Sequence, residues 1–323
     1  MVNICENLRT LYYMTDKEQY IELCAHEALP LHAQTWWIEK STLGKEWDAV
    51  IVKNAEGRID AAMACLIVHK FGQRAILMPI HTQYHFVYIA SDAPKDIYSR
   101  LTEAFEKKCK TLHIGWVKLQ GFYPDPLIQE LKKCGFEISE RITYRIPIVP
   151  AREEIPKLFS QNKRRQLRKA EGLTIAHIEA AYFYSLHEQW LSKQDKHIDY
   201  PREWAQAVLQ EATLKTQALL LGAQDTNGNI LAIIFLAWDS KWAYYLLPSY
   251  DPTYKDSGAM AWLTNEAICI AHNRGLGFDF EGSMTPSIAS SYKQFGGIAE
   301  TYYCIQKFYH PMLRAAIKIR QLL

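Results

Sequence analysis

The sequence predicts an α/β (α+β) protein made of two tandem copies of one fold, each a mixed, mostly antiparallel sheet flanked by helices. Three observations predict this: the length, an order of elements that occurs twice, and strand-helix-strand stretches that need a parallel return. At 323 residues the chain exceeds one typical domain and suits two of about 150 each. With 49% hydrophobic and 22% charged residues, both copies can bury a core and no stretch has the polarity of a disordered tail.

The first copy opens with residues 48–53 and 59–70 around an Asn54-x-x-Gly57 turn, the signature of a β-hairpin. The second copy has residues 217–224 and 229–239 around Asp225-x-x-Gly228. Each hairpin leads to a strand ending near a proline (75–79 and 242–248), then to a helix (about 95–110 and 258–273). A short strand follows (111–115 and 277–281), then a helix ending at Gly135 or Gly296, then a last strand. The offsets 228 − 57 = 171, 248 − 79 = 169 and 296 − 135 = 161 stay nearly constant, as a duplication requires. Prolines at Pro147 and Pro150 interrupt regular structure there, which sets the expected domains at 1–150 and 151–323.

A net charge of +2 is too small to imply a nucleic-acid or membrane partner by bulk electrostatics, so no stable DNA binding is expected. The seven cysteines (Cys5, Cys24, Cys65, Cys109, Cys134, Cys269, Cys304) are widely spaced and never form C-x-x-C, which suits reduced thiols of a cytoplasmic protein. The start of the chain lacks the pattern of a secretion signal, and the longest apolar stretch, 230–238, is far shorter than a membrane span. A weakly amphipathic basic segment at 311–323 sets Met312, Ile319 and Leu322 against Arg314, Lys318 and Arg320, so membrane contact is at most peripheral.

Residues 152–170 read as a helix and carry Lys163, Arg164, Arg165, Arg168 and Lys169, five cations within seven residues. Spread around the helix circumference, they make either a solvated surface or a docking patch for the phosphates of a nucleotide, tRNA or anionic lipid.

Chemistry points to the last third. Asp279 and Glu281 alternate on one strand face around Phe280, and two nearby like charges push one pKa upward, toward that of a general base for an amine. Pairing with Arg274 or Lys293 is the structural alternative for each acid. Ser283 either orients a substrate or caps the next helix. Tyr292 suits a general acid and Lys293 an anion partner, the phenol and the two acids being expected to share one hollow. Upstream, Lys255, Ser257, Gly258 and Ala259 stand where a strand passes into a helix, whose free N–H groups can receive a phosphate. Tyr244 lies on a strand rich in aromatics and could line a substrate cleft. His81 and His85 lack helical metal spacing, and His187 and His197 lack metal partners at useful spacing, so no metal is expected. No G-x-S-x-G or Walker sequence is present, which disfavours a serine hydrolase or P-loop enzyme.

The second half resembles a GNAT-type acyltransferase domain, and the tandem resembles the FemAB-like group of duplicated GNAT folds. The resemblance rests on Tyr292-Lys293-Gln294-Phe295-Gly296, on Asp279-Phe280-Glu281-Gly282-Ser283 before it, and on the basic run from Ser160 to Arg168. It implies that Tyr292 protonates the leaving group. At the matching place the first half has Leu131 instead of tyrosine, so the chemistry belongs to the second. Lys255-Asp256-Ser257-Gly258-Ala259 keeps a single glycine where the family's pyrophosphate loop has two small residues. The donor therefore stays open between acetyl-CoA or another acyl-CoA and aminoacyl-tRNA, with a small or peptide-like amine as acceptor. In this reading Asp279 or Glu281 takes the amine proton and N–H groups near 246–249 hold the oxyanion. A non-catalytic binding protein that retained the tandem fold is the alternative.

Overall fold

The computed structural model describes residues 14–170, 172–198, 200–310 and 313–315. The chain divides into two compact units, one of residues 1–140 with 302–323, the other of residues 141–301.

Unit 1 begins with helices α1 (Asp16–His26) and α2 (Thr35–Thr42). Thr15 and Glu18 form a reciprocal capping box at the start of α1. Strands β1 (Trp47–Lys53) and β2 (Ile59–Lys70) form the expected hairpin. Its turn is held by Asn54 Oδ1, which accepts the N–H groups of Glu56 and Arg58. The other edge of β2 carries β3 (Gln73–Leu77) and β4 (Val87–Ile89), both antiparallel to it. Helix α3 (Ile97–Thr111) then returns the chain to β5 (Ile114–Gly121), parallel to β3. The sequence placed a short strand at 111–115; it instead starts at Ile114 and runs to Gly121. Helix α4 (Asp125–Lys133) leads into β6 (Glu137–Ile146).

Unit 2 repeats the order. The basic region is not one helix but two, α5 (Ile155–Leu158) and α6 (Gln161–Lys169), because Ser160 caps α6 by accepting the Lys163 N–H. After β7 (Thr174–His177) come two helices that the sequence pattern did not reveal, α7 (Ala180–Ser192) and α8 (Arg202–Leu214). The hairpin of β8 (Ala218–Gln224) and β9 (Ile230–Trp238) uses the same turn device as unit 1, with Asp225 Oδ1 accepting the N–H groups of Asn227 and Asn229. Then come β10 (Trp242–Tyr250), α9 (Ala259–Asn273), β11 (Gly277–Asp279), parallel to β10, α10 (Pro286–Gln294) and β12 (Ile298–Phe308). The apolar run 230–238 is thus the buried strand β9, and no described helix is long and apolar enough to cross a membrane.

The two last strands trade places. In unit 2 it is β6 that pairs with β11, Ile146 opposite Phe278 and Arg145 opposite Asp279. In unit 1 it is β12 that pairs with β5, from Tyr303 opposite Gly121 to Phe308 opposite Trp116. Ile305 of β12 lies in the unit 1 core beside Val117 and Leu119, and Lys307 holds Glu106 at 2.8 Å. The segment 311–323 lies outside the described residues except for 313–315, where Leu313 is buried with Ala75 and Trp116 and Arg314 pairs with Glu137.

Replacing Ile305 with Ala should cost about 2–5 kcal/mol, the range for truncating a buried aliphatic side chain. Hydrogen exchange should locate the loss in β5, with β9 and β10 keeping their protection.

Candidate active site

The parallel pair β10/β11 positions the candidate residues. Its ladder comprises Trp242–Gly277, Ala243–Phe278 and Tyr244–Asp279, and stops there. Beyond that point β10 continues to Tyr250 through an irregularity, with Leu246 opposite Phe235 and Ser249 opposite Ile233. Leu247 and Pro248 therefore face the single residue Ile234, a β-bulge, and Leu247 adopts a φ of 47°. On the other side β11 ends, and Glu281 and Gly282 both turn left-handed at φ 62°. Two adjacent parallel strands thus lose each other at their carboxyl ends, where ligands enter open α/β sheets.

Alternation assigns the side chains to faces. Tyr245 points to α9, its hydroxyl within 3.1 Å of Thr264 Oγ1, and burial pushes its pKa up to about 12. Tyr244 therefore points the other way, where its hydroxyl donates to Asp239 Oδ2 at 2.6 Å. Asp279, opposite Tyr244, shares that face. It is fully buried and saturated: Arg145 Nε donates to Oδ2 at 2.7 Å, while Thr143 Oγ1 and the Glu281 N–H donate to Oδ1 at 3.0 and 2.7 Å. Arg145 also reaches Glu300 at 3.0 Å and stacks on the Trp242 ring at 4.4 Å. The partner of Asp279 is thus Arg145, and neither Arg274 nor Lys293 takes that place. Arg274 instead covers the Trp238 ring at 3.7 Å.

Glu281 is half-buried, with Oε1 enclosed. Burial, and then the charge of Asp279, raise its carboxyl well above the ordinary range, against the pull of Arg145. Tyr292 lies across the sheet from Asp279, because Phe280 between the acids points to the α9 side and stacks on the phenol at 4.9 Å. Tyr245 and Tyr144 complete an aromatic nest around it at 6.1 and 6.3 Å. Its pKa is pushed up, first by burial, then by Tyr245 and the charges of Glu281 and Asp279. Asp279 and the phenol accordingly lie on opposite faces, whereas Glu281 follows the end of β11 and its charge acts on both Tyr244 and Tyr292. Lys293 is exposed with its ammonium 5.7 Å from the Tyr144 ring, and Ser283 Oγ accepts the Thr285 N–H just before α10.

At the start of α9, Gly258 takes φ 80° as the N-cap, and Ser257 Oγ accepts the Ala259 N–H at 3.2 Å. Glycine is required twice over: a Cβ there would also sit 2.1 Å from the Gln166 carbonyl oxygen of α6. That close approach sets α6 beside the α9 N-terminus. Lys163 is half-buried over the Phe295 ring at 4.4 Å, and Arg164, Arg165, Arg168 and Lys169 are exposed, as is Lys255.

Unit 1 differs at the corresponding strand ends. Residues 79–86 run across β5, the His85 N–H donating to the Gln120 carbonyl at 2.6 Å, and a Cβ at Gly121 would lie 2.1 Å from the His85 carbonyl oxygen. Leu131, at the place of Tyr292, is buried in the core.

Sequence reasoning missed Arg145 and Thr143, which stand in the first half of the chain. A cation inside the apolar run Tyr144-Arg145-Ile146 was the available signal. It also gave no role to His187, whose Nδ1 lies 2.5 Å from Ser249 Oγ.

Residues 159–294 match the family described as an acetyltransferase (GNAT) domain. Three solved structures share the architecture. FemX aligns with a TM-score of 0.70 at 14% identity, covering 90% of this chain and 96% of its own. L-PGS from Bacillus licheniformis gives 0.57 at 13% identity, covering 95% and 97%. A tandem GNAT protein from the clavulanic acid biosynthesis pathway gives 0.50 at 11%, covering 91% and 94%. No curated protein sequence matches.

Replacing Arg145 with Met should destabilise the protein by about 3–5 kcal/mol, because the Asp279 carboxylate stays buried without its cation. The double variant Arg145→Met/Asp279→Leu should recover most of the loss in urea unfolding.

Proposed function

We propose that this chain, whose fold is the FemAB-like tandem GNAT fold, moves an acyl or aminoacyl group from a thioester or ester donor to an amine. The copy spanning 151–323 would do the chemistry, and 1–150 would serve as a structural or substrate-binding partner. One observation carries this reading: the parallel strands β10 and β11 part after Tyr244–Asp279, with the Asp279 carboxylate on one face, the Tyr292 phenol on the other and the Glu281 carboxyl just past the strand end. Two substrates can then meet from opposite faces of one sheet.

On the α9 side the donor's phosphates would sit at the helix N-terminus formed by Gly258 and Ala259, with Ser257, Lys255 and the α6 cations around them. An acyl-CoA fits this arrangement best. The thioester would lie past the ladder end, its carbonyl oxygen held by the Leu247 N–H of the β10 bulge; Pro248 has no N–H, and those of Leu246 and Ser249 face Phe235 and Ile233 across the ladder with β9. From the α7 side the amine nitrogen attacks the carbonyl carbon and passes its proton to Glu281, directly or through water. The carbon–sulfur bond breaks as the adduct collapses, and Tyr292 protonates the leaving thiolate. Asp279 orients Glu281 through the backbone N–H it accepts. Ser283 would meet a polar part of the acceptor, Lys293, beside the Tyr144 ring, would meet an anionic part of the donor, and Tyr244 would brace β10. The exposed cations of α6 support a second reading, in which charged tRNA is the donor.

Calorimetry with CoA and turnover of labelled acetyl-CoA against an amine pool test the proposal, with charged tRNA as the parallel arm. Binding and turnover of neither donor would leave a non-catalytic binding protein. In an active preparation Glu281→Gln should lower kcat about 10²- to 10⁴-fold. Activity needs the ionised carboxylate, so the wild-type rate should fall as pH drops through a pKa above the ordinary glutamate value, and the variant should lose that limb.

Replacing Tyr292 with Phe should lower kcat about 10²-fold with a smaller change in KM, because the proton is delivered in the breakdown step.

A further inference from the structure

The β10 bulge is held by a pair of buried side chains that take no part in the chemistry above. Ser249 is the first residue after the bulge to regain register, opposite Ile233, and only 4% of it is exposed. Its Oγ lies 2.5 Å from Nδ1 of His187 on α7, itself 5% exposed, and the imidazole stacks on Tyr200 at 6.1 Å and 25°. Two residues on, Asp251 is held to the end of the same helix by Lys193 at 3.1 Å. Upstream of the bulge, β10 is fixed on both faces through Tyr244 to Asp239 and Tyr245 to Thr264. The segment between these fixed points contains Leu247 at φ 47°, a conformation a leucine keeps only when its surroundings over-determine it.

We infer that His187 is a positioning residue for acyl transfer: by fixing Ser249 it sets the direction of the Leu247 N–H toward the acyl carbonyl. The inference rests on the acyl-CoA reading of the site. Without this tether Ser249 can settle elsewhere, Leu247 can relax to negative φ, and its N–H turns from the carbonyl, while the phosphate end at α9 stays as it was. The signature is therefore selective: the protein should lose its preference for acetyl-CoA over CoA and keep its affinity for CoA itself.

Calorimetry of CoA and acetyl-CoA against the full chain and its His187→Ala, His187→Asn and Ser249→Ala variants tests it. The wild-type protein should bind acetyl-CoA about tenfold more tightly than CoA, the worth of one well-placed hydrogen bond. His187→Ala and Ser249→Ala should abolish that difference to the same extent. His187→Asn, whose amide can stand in for Nδ1, should retain most of it. An acetyl preference that survives His187→Ala overturns the role of His187 alone. A parallel loss of CoA affinity in both His187 variants means the pair serves only the fold, which also overturns it. A wild-type protein that binds CoA but shows no acetyl preference overturns the oxyanion role of the bulge and this inference with it. One that binds neither ligand removes the acyl-CoA reading as well.

Discussion

The buried contact between Arg145 and Asp279 constrains everything around the candidate site. A carboxylate with no exposed surface is tolerable only if its charge and lone pairs are met, and here a guanidinium, a hydroxyl and a backbone N–H meet them. The contact spans β6 and β11, so it adds to the ladder with β10 in fixing the register of a three-residue strand. Because Asp279 also binds the Glu281 N–H, it fixes the left-handed turn that carries the second carboxyl past the strand end. One ion pair thereby sets strand, turn and catalytic candidate together.

It also divides the two acids by role. Asp279 is enclosed and saturated, which suits a support. Glu281 has an enclosed oxygen and a carboxyl raised by burial and by its neighbour's charge, which suits proton transfer. The two residues look equivalent in the sequence, one on each side of Phe280. Their difference comes from what β6 brings to one of them and not to the other.

Much of the fold was legible because its signals are local. The Asn54 and Asp225 turns, the apolar run of β9 and the glycines after α4 and α10 each fix nearby backbone through short-range chemistry, and the matching order exposed the duplication. The helices α7 and α8 were not legible, since their apolar positions interleave with polar ones that acquire partners only in the folded chain, as His187 does with Ser249. The same holds for the site. Asp279, Glu281 and Tyr292 could be named from spacing, but Arg145 lies 134 positions from Asp279, and no local pattern links residues so far apart. Spacing alone also could not show that Asp279 turns away from the phenol, with Phe280 between them, while Glu281 leaves the strand at a left-handed turn.

The traded last strands carry a consequence for biosynthesis. Unit 1 is completed by β12, which the ribosome delivers only after all of unit 2 has been made. Until then β5 keeps an open edge, the kind of surface on which nascent chains mispair, and the segment that must close it is the most distant in sequence. The earlier copy would thus be the later one to mature, and its vulnerability during synthesis would be governed by how quickly translation passes β12.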